Sequence, residues 1–316
     1  MSILESWDSP KADCVVSACP VCLSRNFRRI HLKGKLPLMK CENCELHIQQ
    51  PQPSDAQLDK IYGPNYFISF SDNTSLDNHV GQLKNGTARL QLEDLCSYAA
   101  EKQQRDVTGM RLLEIGPGHG YMLQEAKRYG FEITGLEYSI HATQTANKNL
   151  GGYYVRAGTL ETSAAGLGTF DVIVLSDVIE HVRDPRRLLS QTFEILKPGG
   201  IILISTVSTQ SLTARLLGRY WMEYKPEHLF YFNELNIVTL LKAVGFEETR
   251  VTSGRKVMSW GYIAAHFEIF HVPVLTPLMS LSLRIIPTKI ARTRFNTVPS
   301  GFNVIAQRSL AAVKEV

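Results

Sequence analysis

Four cysteines in two pairs are the residues of this 316-residue chain whose spacing most clearly predicts chemistry. The pairs are Cys19-Pro-Val-Cys22 and Cys41-Glu-Asn-Cys44, so each tight turn carries two thiols. Zn²⁺ takes four soft ligands in a tetrahedron, which two such turns can supply. We therefore expect a structural zinc site formed by Cys19, Cys22, Cys41 and Cys44.

Two alternatives to this zinc site remain open. Cys14, His31 and His47 are other potential ligands, but each lies outside the paired pattern. A redox dithiol also has the sequence Cys-x-x-Cys, although redox motifs usually sit at the end of a βαβ strand, which this segment lacks. A segment of about 50 residues buries too little apolar surface to fold alone, so the metal would supply its folding energy.

A second group of residues combines glycines with one acid. Gly116, Gly118 and Gly120 follow an apolar run at alternate positions. A dinucleotide fingerprint requires Gly-x-Gly-x-x-Gly, and Tyr121 stands where its third glycine would be, so the loop departs from nicotinamide and flavin sites. Glu137 follows about twenty residues later, at the end of the next predicted strand, where a carboxylate can accept both ribose hydroxyls. The alternative for Glu137 is a surface acid at a strand end.

Strands and helices alternate from Met110 onward, which predicts an α/β fold built on a doubly wound parallel sheet. Local signals mark the helix boundaries: Asp184 begins one helix, Asn233 begins another, and Gly130 and Gly245 end theirs. The predicted buried strands include residues 111–115, 131–136, 170–175 and 201–204. Ligands bind such sheets beyond the carboxyl ends of the strands.

Several motifs now resemble one family. The loop Glu114-x-Gly-x-Gly-x-Gly120, the acid Glu137, the segment 170–181 and the sequence Leu-Lys-Pro-Gly-Gly at 196–200 resemble the class I S-adenosylmethionine-dependent methyltransferases. The likeness covers roughly residues 110–307, and several motifs in the right order make it specific. It implies an enzyme with a seven-stranded Rossmann-like sheet whose last strand is antiparallel, and S-adenosylmethionine as cofactor.

The resemblance also implies cofactor-binding residues. It places Glu114 and Gly116 near the methionine end, Glu137 on the ribose, and Ser176 and Asp177 beside the fourth strand. Many members carry an acid after the third strand that meets the adenine amine, and this chain departs from that pattern. The residues available there are Thr159, Leu160 and Glu161.

The amino-terminal pattern is similar to methyltransferases that carry a zinc-binding front module, some of which act on nucleotide-linked sugars or other biosynthetic intermediates. In such proteins, tyrosines following the module fold over the cofactor, which implies that role for Tyr62 and Tyr66. The alternative is ordinary loop packing. We expect a zinc-ribbon-like module at 1–50, a helical linker or lid at 51–108, and the methyltransferase domain at 109–316, with a lid or interface insert at 256–300.

Two histidines are candidates for a catalytic base. His181 follows the fourth strand at the predicted pocket mouth, and His228 lies in a loop after the fifth strand, where substrate loops gather. Either histidine could instead pack or cap a helix. Trp221, Tyr224 and Glu227 could shape an acceptor site, although loop packing is the simpler explanation.

The charge balance and hydropathy of the chain limit which binding partners we expect. The chain has 34 basic and 30 acidic residues, which does not require nucleic acid. It shows no secretory signal and no apolar run long enough to span a bilayer, so we expect a cytoplasmic protein. The apolar and basic stretch 271–294 could form a peripheral membrane contact or a homodimer interface.

The expected function is methyl transfer from S-adenosylmethionine to a small biosynthetic intermediate, such as a sugar or antibiotic precursor, by direct in-line displacement. The alternatives are an RNA methyltransferase whose zinc module grips the substrate, and a cofactor-binding scaffold without turnover.

Overall fold

The structure is a computed structural model that describes residues 15–30, 36–62 and 74–310. The strands are β1 (Phe27–Ile30), β2 (Leu38–Cys41), β3 (His47–Gln49), β4 (Arg111–Ile115), β5 (Glu132–Glu137), β6 (Val155–Ala157), β7 (Phe170–Ser176), β8 (Leu196–Val207), β9 (Phe230–Tyr231), β10 (Phe246–Ser253), β11 (Lys256–Ser259), β12 (Arg294–Thr297) and β13 (Gly301–Arg308). The α-helices are α1 (Asp55–Ile61), α2 (Thr74–Gln103), α3 (Tyr121–Arg128), α4 (Ile140–Leu150), α5 (Leu160–Ser163), α6 (Pro185–Ile195), α7 (Leu212–Leu217), α8 (Glu234–Val244), α9 (Trp260–Ile269), α10 (Leu275–Ile285) and α11 (Thr288–Ala291).

The central element is a seven-stranded sheet with the order β10-β13-β8-β7-β4-β5-β6. The strands from β8 to β6 pair in parallel, whereas β13 is antiparallel to both of its neighbours. The middle of β7 is fully buried, as expected for a strand covered on both faces. The predicted α/β fold, with its doubly wound sheet and antiparallel last strand, is confirmed.

Local capping explains where the helices begin and end. Asp184 accepts a hydrogen bond from the amide of Arg187 at the start of α6, and Asn233 caps α8. Gly130 and Gly245 adopt φ of +88° and +111° after α3 and α8, as the sequence predicts.

Two predicted boundaries differ. The sequence predicts a helix from about 83 to 103, whereas the helix α2 begins nine positions earlier, at Thr74. The sequence Lys-Pro-Gly-Gly at 197–200 predicts the end of the preceding helix, whereas the strand β8 already begins at Leu196. Because Pro198 disfavours helical backbone at Lys197, the chain leaves α6 at once and pairs with β7.

The amino-terminal residues form a second sheet with the order β1-β2-β3-β9. Its last strand, β9, comes from the segment between β8 and α8, and sequence reasoning did not predict it. Cys19 and Ile48 belong to the same buried apolar cluster as Leu113 and Ile173 of the main sheet. The zinc-ribbon-like segment therefore shares a core with the α/β part.

Polar contacts reinforce this shared core. The Arg186 guanidinium on α6 donates to the carbonyl oxygens of Pro20 and Val21, at 2.9 and 2.8 Å. The Asn236 side chain on α8 donates to the carbonyl oxygen of Cys44 at 2.6 Å. Both cysteine turns are thus tied to helices of the large sheet.

The segment between β10 and β13 contains β11, three helices and β12. The antiparallel pair β11–β12 forms its base. The Thr87 hydroxyl on α2 accepts a hydrogen bond from the amide of Val257 at 3.0 Å, so the base of the insert packs against α2. Within the described ranges, none of the helices combines the length and apolarity needed to cross a bilayer.

Candidate active site

The glycine loop between β4 and α3 has a backbone that only glycine adopts readily. Gly116, Gly118 and Gly120 have φ of +69°, +53° and +83°. A Cβ atom at Gly116 would lie 2.7 Å from Cγ2 of Val178, which is too close. The three glycines therefore let the chain reverse at the carboxyl end of β4 and leave space against the neighbouring loop.

Glu137 lies at the end of β5 and is fixed by this loop. Its Oε2 accepts a hydrogen bond from the amide of Gly118 and its Oε1 one from the amide of Ser139, both at 2.9 Å. Burial raises the pKa of the carboxyl, while these two amides favour its charged form. Each oxygen keeps a free lone pair, so the carboxylate can accept two hydroxyls, which fits a ribose.

Glu114 supplies a second buried acid at the same edge. Its side chain is only 3% exposed, and its Oε2 lacks a hydrogen-bond partner in the described residues. Burial, and then the charge of Glu137, raises the pKa of Glu114 to about 8. Two desolvated carboxyls beside an open glycine loop are suited to a ligand that combines hydroxyls with positive charge. S-adenosylmethionine has both.

The predicted pocket residues after β7 also lie at this edge. Gln91 of α2 donates to the Ser176 hydroxyl across 3.5 Å, and Asp177 adopts a φ of +53°. The Asp177 carboxylate lies 3.5 Å from Nζ of Lys256, the first residue of β11. The insert therefore reaches the carboxyl edge of the sheet.

Tyr62 and both histidines come together beside these residues. The Tyr62 hydroxyl lies 2.9 Å from Nδ1 of His181, which is also 3.1 Å from the carbonyl oxygen of Glu227. The rings of His181 and His228 are perpendicular, with centroids 4.7 Å apart. Tyr66, the other predicted tyrosine, lies outside the described residues.

Both histidines are held in the neutral form. Burial lowers the pKa of His181 to about 4, and burial also places the pKa of His228 well below its usual value. His228 is 4% exposed, and its Nδ1 has no hydrogen-bond partner among the described residues. A neutral imidazole has an unshared electron pair that can accept a hydrogen bond from an acceptor hydroxyl, and the lowered pKa makes each ring a weaker base than a free histidine.

Sequence reasoning missed Glu180. Its side chain is fully buried, and neither carboxylate oxygen is hydrogen-bonded within the described ranges. Burial, and then the charge of Asp177, raises its pKa to about 8. Ligand atoms of Glu180, His181 and His228 all lie within 4.8 Å of one another, so these three residues could hold a divalent cation. The available signal was the position of Glu180 directly before His181.

The aromatic residues considered for an acceptor site lie in a packed cluster. Trp221 is 1% exposed, and its ring contacts those of Tyr224 and Tyr231 at centroid distances of 5.1 and 6.3 Å. This cluster agrees with the packing explanation. For the adenine contact, Leu160 is buried, whereas Glu161 forms an exposed ion pair with Arg187.

The four paired cysteines converge. The Sγ atoms of Cys19 and Cys44 are 3.5 Å apart, as are those of Cys22 and Cys41, and all four lie within 4.8 Å of one another. Tetrahedral Zn²⁺ with bonds of about 2.3 Å has sulfur–sulfur edges of about 3.8 Å, so the cluster fits this ion.

Of the remaining potential ligands, His47 lies within the described residues. His47 is outside the four-thiol group that the described residues form, and burial lowers its pKa to about 4. Cys14 and His31 lie outside the described residues. The prediction of a four-cysteine cluster is confirmed.

Comparisons of this chain with known protein families and sequences agree with this architecture. A family model described as a methyltransferase domain matches residues 85–251, just over half of the chain. The ubiquinone biosynthesis O-methyltransferase of Caulobacter vibrioides is 36% identical over 121 residues, covering 37% of this chain and 48% of that protein. The mitochondrial ubiquinone biosynthesis O-methyltransferase of Schizosaccharomyces pombe is 33% identical over 122 residues, covering 37% and 44%. The chain spans about half the length of the curated relatives it matches.

A solved structure gives the same result for the fold. The plantazolicin methyltransferase BpumL, in complex with S-adenosylhomocysteine (SAH), has a TM-score of 0.50 at 17% identity, covering 78% of this chain and 93% of that one. Fold and site together have the architecture of the class I S-adenosylmethionine-dependent methyltransferases. The chain belongs to the methyltransferase-domain family.

Replacing Glu114 by Gln should change how stability depends on pH. The folded-state pKa of about 8 exceeds the unfolded value near 4.5, so the folded protein retains a proton that the unfolded chain releases between these values. The free energy of unfolding of the wild type should therefore fall as pH rises across this window. Relative to wild type, Glu114→Gln should gain on the order of 1–3 kcal/mol between pH 5 and pH 8.

Urea denaturation at several pH values measures this difference. Glu132→Gln, at the exposed start of the neighbouring strand β5, is the matched control and should follow the wild type. Parallel pH curves for Glu114→Gln and wild type would contradict the buried-acid interpretation.

Proposed function

We propose that this protein transfers the methyl group of S-adenosylmethionine to a hydroxyl of a small biosynthetic intermediate. The observation that carries this proposal is the Glu137 carboxylate, which the Gly118 amide holds at the glycine loop. When bound, S-adenosylmethionine supplies a methyl group on a positively charged sulfur. The chain must then bind the cofactor, align the acceptor behind the methyl group for in-line displacement, and exclude water.

The binding role falls to the residues at the carboxyl ends of β4, β5 and β7. Glu137 accepts the ribose hydroxyls, and the buried Glu114 faces the methionine end with the glycine loop. Ser176 and Asp177 line the pocket beside β7. Tyr62 lies against His181, where its ring can exclude water from the reacting groups.

His228, with His181 beside it, is the base we propose for the acceptor hydroxyl. Its Nδ1 is buried and unpartnered in the described part of the chain, and the ring is neutral at pH 7. A positioned neutral imidazole can take the hydroxyl proton as the oxygen attacks.

The relatives support a small acceptor whose oxygen is methylated, since their names describe O-methyltransferases of ubiquinone biosynthesis. These names give no specific support to the predicted sugar or antibiotic precursor. An RNA substrate would show as strongly salt-dependent RNA binding. A scaffold without turnover would bind SAH while no methyl acceptor is ever found.

The zinc site is structural in this proposal, because four thiols leave no open coordination position.

The proposed organisation keeps a zinc-ribbon-like segment at 1–50, a linker or lid at 51–108 and a transferase domain at 109–316, with an insert at 256–300. We propose a cytoplasmic location. For residues 271–294, the proposed partner is either a membrane surface or a second copy of the chain.

Glu137→Ala should weaken SAH binding without unfolding the protein. The variant loses a charged acceptor of two ribose hydroxyls, so the dissociation constant should rise by about a hundredfold. Isothermal titration calorimetry with SAH measures this change. Glu132→Ala, on the same strand but exposed, should bind SAH as the wild type does. Unchanged affinity in Glu137→Ala would remove the proposed ribose site.

His228→Ala should lower turnover while leaving SAH affinity unchanged. Loss of a positioned base typically lowers kcat by about 10²–10⁴-fold. The measurement is conversion of S-adenosylmethionine to SAH with a panel of hydroxylated acceptors, after an acceptor for the wild type is found. His141→Ala, at an exposed position of α4, is the control. An unchanged kcat in His228→Ala would exclude a base role for His228. If Glu180, His181 and His228 instead hold a cation, a chelator should abolish activity and added metal should restore it.

Cys22→Ser should remove zinc and destabilise the whole chain. Three thiols bind the ion far more weakly than four, and the cluster shares its core with the main sheet. Elemental analysis should find about one zinc per wild-type chain and much less in the variant. Cys96→Ser, outside the cluster, should retain the metal. Wild-type protein purified without chelator and free of zinc would exclude this site.

A further inference from the structure

The helix α10 has apolar side chains both towards the protein and towards water: Leu275, Met279 and Leu283 are partly buried, whereas a second row is exposed. The Thr276 hydroxyl donates to the carbonyl oxygen of Phe267 at 2.9 Å, and the Ser282 hydroxyl accepts from Nε1 of Trp260 at 2.7 Å. These contacts fix the face that α10 turns inwards. The opposite face carries three exposed apolar side chains, and Val274, the residue before the first turn, adds a fourth. We call these four the α10 stripe: Val274 (70% exposed), Leu278 (52%), Leu281 (51%) and Ile285 (73%).

The spacing of the α10 stripe places three of its members on one side of the helix. Steps of three and four residues separate Leu278, Leu281 and Ile285, which is the repeat of a single helical face, whereas Val274 precedes the first turn with a φ of +68°. Ile290 of α11 adds another exposed apolar side chain directly after α10, at 60%. Single exposed leucines are common on protein surfaces. A continuous exposed apolar row instead indicates a surface that binds a membrane or another molecule.

The charges that lie within and directly after the stripe along the chain are all basic, and the nearest acid is Glu268 of α9, whose carboxylate accepts a hydrogen bond from the Ser280 hydroxyl at 3.4 Å. Residues 269–310 contain no Asp or Glu. The basic residues that follow the stripe are exposed, and they are Arg284, Lys289, Arg292 and Arg294. A second copy of this chain would bring like charges together across a symmetric contact, which is unfavourable. An anionic surface would instead be attracted to this rim.

We propose that the α10 stripe docks this protein on an anionic lipid bilayer. The four apolar side chains enter the boundary of the acyl chains, and the basic residues of α10, α11 and β12 lie at the level of the lipid phosphates. The helix lies in the interface and does not cross it, because it has only 11 residues.

The insert that carries the stripe also borders the candidate active site. Lys256 at its base pairs with Asp177, and Nζ of Lys225 lies 5.5 Å from the ring centroid of Phe270 at the end of α9. Docking would therefore hold the carboxyl edge of the sheet near the bilayer, where an acceptor with an apolar tail is concentrated. This consequence for the acceptor rests on the proposed function, whereas docking itself does not.

Vesicle sedimentation of the full-length, zinc-loaded protein tests the docking. The probes are vesicles of phosphatidylcholine alone and vesicles with about a third of phosphatidylglycerol. The wild type should bind the anionic vesicles and be released by salt. The double variant Leu278→Ser/Leu281→Ser should reduce its partition coefficient at least about tenfold. Leu235→Ser, an equally exposed leucine on α8, should leave the partition coefficient unchanged.

A double variant that reverses two basic charges tests the electrostatic part of the docking. Lys289→Glu/Arg292→Glu should lower binding to anionic vesicles about tenfold and weaken its dependence on salt, whereas Arg187→Glu on α6 should not. SAH affinity and circular dichroism should match the wild type in every variant, so loss of docking is separated from misfolding and from failure of the cofactor site. Absence of sedimentation, equal binding to neutral and anionic vesicles, or a dimer that dissociates in the leucine variant would each overturn the proposal.

Discussion

The candidate site depends on acids buried at the carboxyl edge of a parallel sheet. Glu114, Glu137 and Glu180 are all at most 6% exposed, and together they accept few hydrogen bonds from the described chain. Burying a carboxyl away from water is costly unless a partner compensates for it. Among the described residues, Glu137 has the amides of Gly118 and Ser139 as partners. Burial raises the pKa of all three acids, to about 8 in Glu114 and Glu180, which leaves the edge ready for a polar or positively charged ligand.

Much of the sheet could be predicted because its signals are local. The central strands of a parallel sheet are apolar on both faces, so β7 and β8 appear as continuous β-branched runs. The limits of α6 and α8 follow from Asp184, Asn233 and Gly245, each acting within a few residues. The cysteine cluster was predictable for the same reason, since each pair lies on one turn.

The parts that escaped prediction depend on distant contacts. Strand β9 has two residues, too few for any periodicity, and it forms because β3 offers an edge. The burial of Glu180 cannot be inferred from its neighbours in the sequence. Tyr62 and His181 are 119 positions apart, and only the family resemblance pointed to that tyrosine. Contacts with Trp260 and Phe267 of a neighbouring helix fix which side of α10 faces the protein, so the sequence indicated a contact surface in this stretch but not which of its apolar residues are exposed.

The pairing of β3 with β9 joins the cysteine segment to the loop that carries His228. The amide of Gln49 donates to the carbonyl oxygen of Leu229 at 2.9 Å, directly beside that histidine. The cysteine-bearing segment and the loop that carries His228 therefore share one strand register. Any displacement of β3 would be transmitted through this pairing to the loop beside the candidate active site.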